Sequence, residues 1–200
     1  MPRLRGEFCW ILSNDLNMIN FITISNLNES KGILYLLDAY RMLVQKGEFN
    51  FHLHLVGAAT AEISAERMER EICERKLTTY VTYHGKQYGE HKEKLLAEAD
   101  VFVHPTLDDC FPLVLLEAMQ RALPIIATPV GAIPDIVEEG VNGLLVPERD
   151  VEALAQAMKL LMDAPELAQQ MGQRGKEKYQ ASYTTEQFEQ RLLEIIKTVK

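Results

Sequence analysis

Cysteine is scarce and scattered in these 200 residues. Cys9, Cys73 and Cys110 are odd in number and lack metal-type spacing, which excludes a disulfide framework and points to reduced thiols. Positive charge is also in deficit: 21 lysines and arginines stand against 29 acidic residues, a formal net charge of −8. Binding to nucleic acid or to an anionic membrane needs a basic surface, so neither is expected. A local phosphate site survives that argument, because backbone N–H groups and one lysine can hold a phosphate inside an acidic protein. No stretch approaches the roughly 20 apolar residues of a membrane span. The basic start with Arg3 and Arg5, followed by FCWIL, is too short for a signal sequence and is ended by Ser13, Asn14 and Asp15. Internal repeats, low-complexity tracts and long linkers are missing as well. The expectation is a soluble, cytoplasmic chain.

What is present suits one domain with a full core, since 47% of the residues are hydrophobic. Short apolar runs at 19–25, 51–57, 80–85, 101–105, 124–128 and 143–146 read as strands. Between them lie helical patterns over 31–47, 62–76, 88–98, the segment after Pro112, and 133–139. Beyond Pro147 the chain reads as helical, with breaks near Pro165 and Ser182. Near-continuous apolar strands alternating with helices predict an α/β fold: a parallel sheet of about six strands with helices on both faces. Ligands of such sheets bind beyond the carboxyl ends of the strands, so the loops 25–32, 57–61, 84–89, 104–112 and 128–134 share the expected ligand rim.

The segment HPTLDDCFPLVLLEAMQRALPIIATPVGAIPDIV (104–137) says most about chemistry. Asp109 precedes a loop with a proline, and Glu117 stands among Leu113, Val114, Leu115, Leu116, Ala118 and Met119. A carboxylate buried without a partner costs several kcal/mol or becomes protonated, so its presence there suggests a use. Pro112 suits a first helical turn, which turns the free N–H groups of Leu113 and Val114 toward the rim as an anion site. Glu117, about a turn and a half further in, can then accept two hydrogen bonds from a ribose diol, a charged bond of that kind contributing roughly 1.5–3 kcal/mol. The structural alternative is that Glu117 pairs with a core arginine or lysine.

In SNLNESKG (25–32), Lys31 is expected in the first turn of a helix. That end of the dipole is already positive, so lysine and helix together make a spot suited to a diphosphate. The bland alternative is a solvated surface lysine. In TPVGAIP (128–134), Gly131 permits a positive φ or close approach of backbone to a ligand, although a plain turn explains it equally. GVNG (140–143) is more simply a turn into the last strand. His52 and His54 share one face of a strand as metal ligands do, but no third ligand is evident. GAATAE after the second strand lacks the glycine pattern of a dinucleotide site. Cys110 has no obvious base beside it and reads as a loop residue rather than a nucleophile. His84 and His104 end strands on the rim, as ligand contacts or as loop residues.

With those residues in hand, the chain resembles the C-terminal, donor-binding domain of the retaining glycosyltransferases with the GT-B fold, the family 4 or "group 1" class. DCFPLVLLEAM (109–119) is similar to the family's E-G-F-G/P-x-x-x-L-E-A-M, and ALPIIATPVGAIPDIV (122–137) to the run that follows it. EGVNGLLVPERD (139–150), ADVFVHPT (99–106) and the pair Lys31–Gly32 also match in register. The resemblance implies a Rossmann-like three-layer domain over 19–182, one half of a GT-B fold, with a lead-in over 1–18 and a C-terminal helix over 183–200.

The resemblance further implies that Glu117 binds the ribose hydroxyls of a nucleotide sugar and that Lys31 binds its diphosphate. Backbone near Leu113 and Val114 assists, with Cys110 and Phe111 completing the donor-binding strip. Asp109 takes the place of the first acid, which contacts the donor sugar, and His84, Gly85 and Lys86 help hold the base. Asp109, Lys31 and Glu117 are thus the expected catalytic set, with no metal and no cofactor beyond the nucleoside-diphosphate sugar. Two departures stand out. Asp109 is one methylene shorter than the usual glutamate, and Ser25–Asn26–Leu27 replaces the G-R-L whose arginine makes a bidentate phosphate contact.

The implied parent enzyme transfers a sugar to a hydroxyl with retention. Its acceptor-binding N-terminal half is missing here, and any membrane association, at the inner face, belongs to that half. The isolated chain is expected to turn over little or not at all. Two other readings stand beside this one: a nucleotide-sugar 2-epimerase of the same fold, and a non-catalytic nucleotide-sugar-binding module.

Overall fold

The computed structural model describes residues 18–198. The expected lead-in, apart from Met18, and Cys9 lie outside the described residues. Among the described residues there are six strands: β1 (Ile19–Ile24), β2 (Phe51–Val56), β3 (Val81–Tyr83), β4 (Val101–His104), β5 (Ile125–Ala127) and β6 (Gly143–Leu145). Every pairing is parallel, in the order β3-β2-β1-β4-β5-β6. The helices are α1 (Ile33–Gln45), α2 (Ala65–Glu74), α3 (Gly89–Glu98), α4 (Leu113–Gln120), α5 (Ile133–Ile136), α6 (Val151–Asp163), α7 (Pro165–Ser182) and α8 (Thr185–Thr198).

Alternation along the strands feeds two cores, because successive strand side chains point to opposite faces. Val101 and Val103 of β4 join Phe21, Leu53 and Leu55 against α1, α2 and α6. Phe102, between them in sequence, joins Ile22, Ile24 and Val56 against α3, α4 and α5. Two apolar clusters, one on each face of a parallel sheet, make the three-layer α/β architecture expected of the sequence.

Several boundaries differ from the pattern-based expectation, each for a local reason. Lys31 does not open α1. It ends a single 3-10 turn, Glu29–Lys31, and Gly32 at φ +69° breaks the chain before Ile33. A β-carbon at Gly32 would stand 1.8 Å from the carbonyl oxygen of Pro105, so this pair of loops can approach only over a glycine. Pro112 is the N-cap of α4 and not a residue of its first turn. Helix α2 starts only after Ser64, whose side chain caps it by accepting the Arg67 N–H. Helix α5 stops at Ile136 and not at residue 139, because Val137 is extended. The buried Asn142 holds that turn by donating to Ile136 O and accepting the Glu138 N–H.

Helix α8 has no buried residue, and Phe188, Leu192, Leu193, Ile195 and Ile196 are exposed along it. Among the described residues no helix is long and apolar enough to cross a membrane.

Candidate functional site

The strand order reverses direction at β1, whose neighbours are β2 on one side and β4 on the other. The loops after β1 and β4 therefore leave the sheet in diverging directions and open a crevice, where ligands of open parallel sheets bind. Lys31 comes from the first loop and Asp109 from the second. They meet there: Lys31 Nζ donates to Asp109 Oδ2 at 2.8 Å and to the Asp108 carbonyl at 2.8 Å.

The carboxylate is held from the other side by His104, the last residue of β4, with Nε2 3.3 Å from Oδ2. His104 is almost fully buried, so its ring is a fixed support. The His104 hydrogen bond and then the Lys31 ammonium hold the Asp109 carboxyl down to about 2, against the opposing effect of burial. This corrects the expectation of a doubly positive spot at Lys31. Its charge is already matched by a carboxylate, and its side chain is 22% exposed, so it is not a solvated surface lysine either.

The loop carrying Asp109 is fastened on both flanks. Leu107 N–H donates to Ser30 O at 2.7 Å, and Ala132 N–H donates to Cys110 O at 2.9 Å. The Thr128 hydroxyl donates to Thr106 O. Gly131 sits at φ +55°, and a β-carbon on it would lie 2.0 Å from Asp109 O. The close approach that this glycine permits is therefore to the Asp109–Cys110 backbone. Cys110 and Phe111 are exposed, with the Phe111 ring 6.4 Å from that of Tyr183.

Glu117 departs from the picture of a carboxylate sunk in a core helix. The buried positions of α4 are Leu115, Ala118 and Met119, while the Glu117 side chain is 38% exposed. It has an ion-pair partner in Lys92 of α3, at 2.5 Å. The structural alternative weighed for Glu117, pairing with a lysine, is thus realised in part. The pair is close but poorly aligned, and Oε2 has no hydrogen-bond partner among the described residues. Leu113 and Val114 begin α4, so their N–H groups have no carbonyl one turn earlier within the helix.

Beside them lies a cavity of about 240 Å³ at the carboxyl ends of β1 and β2, lined by Asn26, Gly57, Lys86, Tyr88, Lys92 and Val114. The Lys86 ammonium stands 4.8 Å over the Tyr88 ring. Gly85 O accepts the Gly57 N–H at 2.9 Å, which ties the loop after β3 to the loop after β2.

His84 is placed differently from the expected base contact. Its Nε2 is 2.9 Å from His54 Nδ1, so its imidazole is engaged along the sheet. The third histidine that the sequence pattern lacked is therefore present. The cluster is not thereby a metal site, because two ring nitrogens bond each other and His52 Nε2 bonds Thr82 Oγ1 at 2.8 Å. Burial lowers all three imidazoles, His54 to about 4, so they are neutral at pH 7.

Two residues at the site were not singled out from the sequence for what they do. Lys92 lies in a charged helix, EHKEKLL, with no signal linking it to Glu117. His104 was visible at a strand end, but its hydrogen bond to Asp109 depends on a loop conformation that spacing does not encode.

Residues 19–164 match the family described as glycosyl transferases group 1. The amylovoran biosynthesis glycosyltransferase AmsK of Erwinia amylovora is 30% identical over 143 residues, 68% of this chain and 34% of that protein. Among solved structures, sucrose-phosphate synthase from Thermosynechococcus elongatus superposes with a TM-score of 0.81 at 29% identity, covering 92% of this chain and 46% of that one. HepE from Anabaena, solved in complex with UDP, has a TM-score of 0.83 at 21% identity, covering 91% and 49%, a likeness of fold. The chain thus spans less than half the length of these proteins.

Proposed function

The chain belongs to the glycosyl transferases group 1 family, and from that premise we propose that it is the nucleotide-sugar donor-binding part of a retaining glycosyltransferase of family 4. The observation that carries the reading is the meeting of Lys31 and Asp109 at the point where the strand order reverses, beside the free N-terminus of α4. A diphosphate seated there takes over Lys31 and the N–H groups of Leu113 and Val114. Asp109 stays bonded to His104 and offers its carboxylate to a hydroxyl of the donor sugar. Glu117 takes the ribose hydroxyls, and the base rests against the loop of Gly85 and Lys86.

In the whole enzyme, the bond from the anomeric carbon to the diphosphate oxygen breaks. The acceptor oxygen bonds to that carbon on the same face, and its proton passes to the departing phosphate. Negative charge grows on the diphosphate as it leaves, and Lys31 with the α4 N-terminus stabilises it without a metal. The acceptor site belongs to the part of the longer relatives that this chain does not span, so the chain alone binds donor and turns over little. The family's members named for polysaccharide biosynthesis make a surface-polysaccharide sugar transfer at the cytoplasmic side the role we assign to the parent enzyme.

Titration with UDP, GDP and ADP by calorimetry tests this reading. Saturable binding of one of them, weakened about tenfold or more by Glu117→Ala, supports it. A folded chain that binds none of them would sink it.

A further inference from the structure

Lys92 stands between Glu117 and the cavity beyond β1 and β2. Its ammonium is 2.5 Å from Glu117 Oε2 and its side chain is only 18% exposed, and it also lines that cavity. It sits in the first turn of α3, a helix anchored on the sheet by Leu95 and the buried Leu96. The backbone that carries Lys92 is thus fixed by packing. Glu117 Oε2 is closed off from solvent with no hydrogen bond among the described residues, so the partial exposure of this side chain lies on its other atoms.

We propose that Lys92 is the positioning residue that fixes the Glu117 carboxylate for the ribose, an inference that rests on the donor-binding reading above. Unpinned, a half-exposed glutamate samples several rotamers, and ordering it opposes binding. Pinned through Oε2, the carboxylate offers Oε1, whose two lone pairs can each accept one hydroxyl of a vicinal diol. Lys92 also offsets the repulsion between Glu117 and an incoming diphosphate, so that an acid can serve in a site for a polyanion. It acts through Glu117 and touches no reacting atom.

The discriminating experiment measures dissociation constants for UDP, GDP and ADP against their 2′-deoxy counterparts. The proteins compared are wild type, Lys92→Met, Lys92→Arg, Glu117→Gln and the Lys92→Met/Glu117→Gln pair. Wild type should favour the ribonucleotide by about tenfold or more. Lys92→Met should bring that ratio within about twofold, matching Glu117→Gln, and the double variant should add nothing further. Lys92→Arg, which keeps the charge, should retain most of the ratio. A merely structural lysine would lower stability or all affinities together and leave the ratio alone. Thermal unfolding accompanies each variant, and Lys92→Gln, neutral and polar, gives the comparison if Lys92→Met is unstable. A wild-type ratio that persists in Lys92→Met overturns the role of Lys92 and leaves the donor reading intact. Equal wild-type affinity for ribo- and deoxyribonucleotides overturns the assignment of Glu117 to the ribose and this inference with it. Binding of no nucleotide overturns both.

Discussion

Lys31 Nζ holds Asp109 Oδ2 and the Asp108 carbonyl oxygen at the same distance, 2.8 Å. The ammonium assigned to a diphosphate is thus already occupied by two oxygens of the protein, one of them charged. A phosphate that takes the remaining N–H of Lys31 meets the charge of that carboxylate, and the two compete for one cation.

Competition of this kind has a sign. Asp109→Asn removes the competing charge and should tighten UDP by about threefold to tenfold. In a full-length enzyme the same change should lower sugar transfer. Lys31→Met should weaken UDP by about tenfold or more and leave uridine, which has no phosphate, within about twofold. Calorimetry on the three proteins checks all of this, and UDP affinity unchanged by Asp109→Asn would refute the competition.

Asp109 should also leave a mark on acid stability. Its folded-state value of about 2 lies below its ordinary 3.8, so the ionised group stabilises the fold above pH 4, by on the order of 2 kcal/mol. That contribution is lost as pH falls from 4 through 2. Urea unfolding of wild type and Asp109→Asn should show a gap at pH 7 that closes across this window.

His54 acts in the opposite sense. Burial first, then His52 and His84, lower it from 6.5 to about 4, so the folded chain resists protonation where the unfolded chain does not. Stability should therefore fall as pH drops from 6.5 toward 4. His54→Asn should flatten that slope in unfolding curves taken between these limits. A His54 imidazole titrating near 6.5 by NMR would contradict this.

The two loop glycines should be costly to replace. Gly32→Ala and Gly131→Ala combine a positive φ with a β-carbon 1.8 and 2.0 Å from a backbone oxygen, so each should lose more than about 2 kcal/mol. Gly47→Ala has a positive φ but open space around it, and should lose about 1 kcal/mol. Chemical denaturation of the three variants gives the comparison.

The architecture was legible because parallel strands buried on both faces are mostly apolar, as Val101, Phe102 and Val103 of β4 and Phe21, Ile22 and Ile24 of β1 are. Lys31, Asp109 and Glu117 were legible as charged residues in loops and a helix beyond the carboxyl ends of such a sheet. Their pairings were not. That Lys31 meets Asp109, and Glu117 meets Lys92, depends on loop paths set by Gly32 on Pro105 and Gly131 on Asp109, contacts between segments far apart in sequence. The shift of Lys31 out of α1 has the same origin, since helical periodicity from Leu34 onward does not reveal the left-handed residue in front of it. The histidine triad was half visible, because His52 and His54 share a strand face while His84 arrives only through the β2–β3 register.

The Lys31–Asp109 contact joins positions 78 apart in the chain. Between them lie all of β2 and β3, which pair on the other side of β1. A chain that has formed only the β1–β2–β3 half therefore has the lysine and lacks its acid, and gains the site only when β4 docks on the free edge of β1. Such long-range closure is among the slower steps of parallel-sheet folding. Ligand affinity at this crevice then becomes a clock for maturation: during refolding, nucleotide capture should rise with the completion of the whole sheet and lag the first appearance of helix.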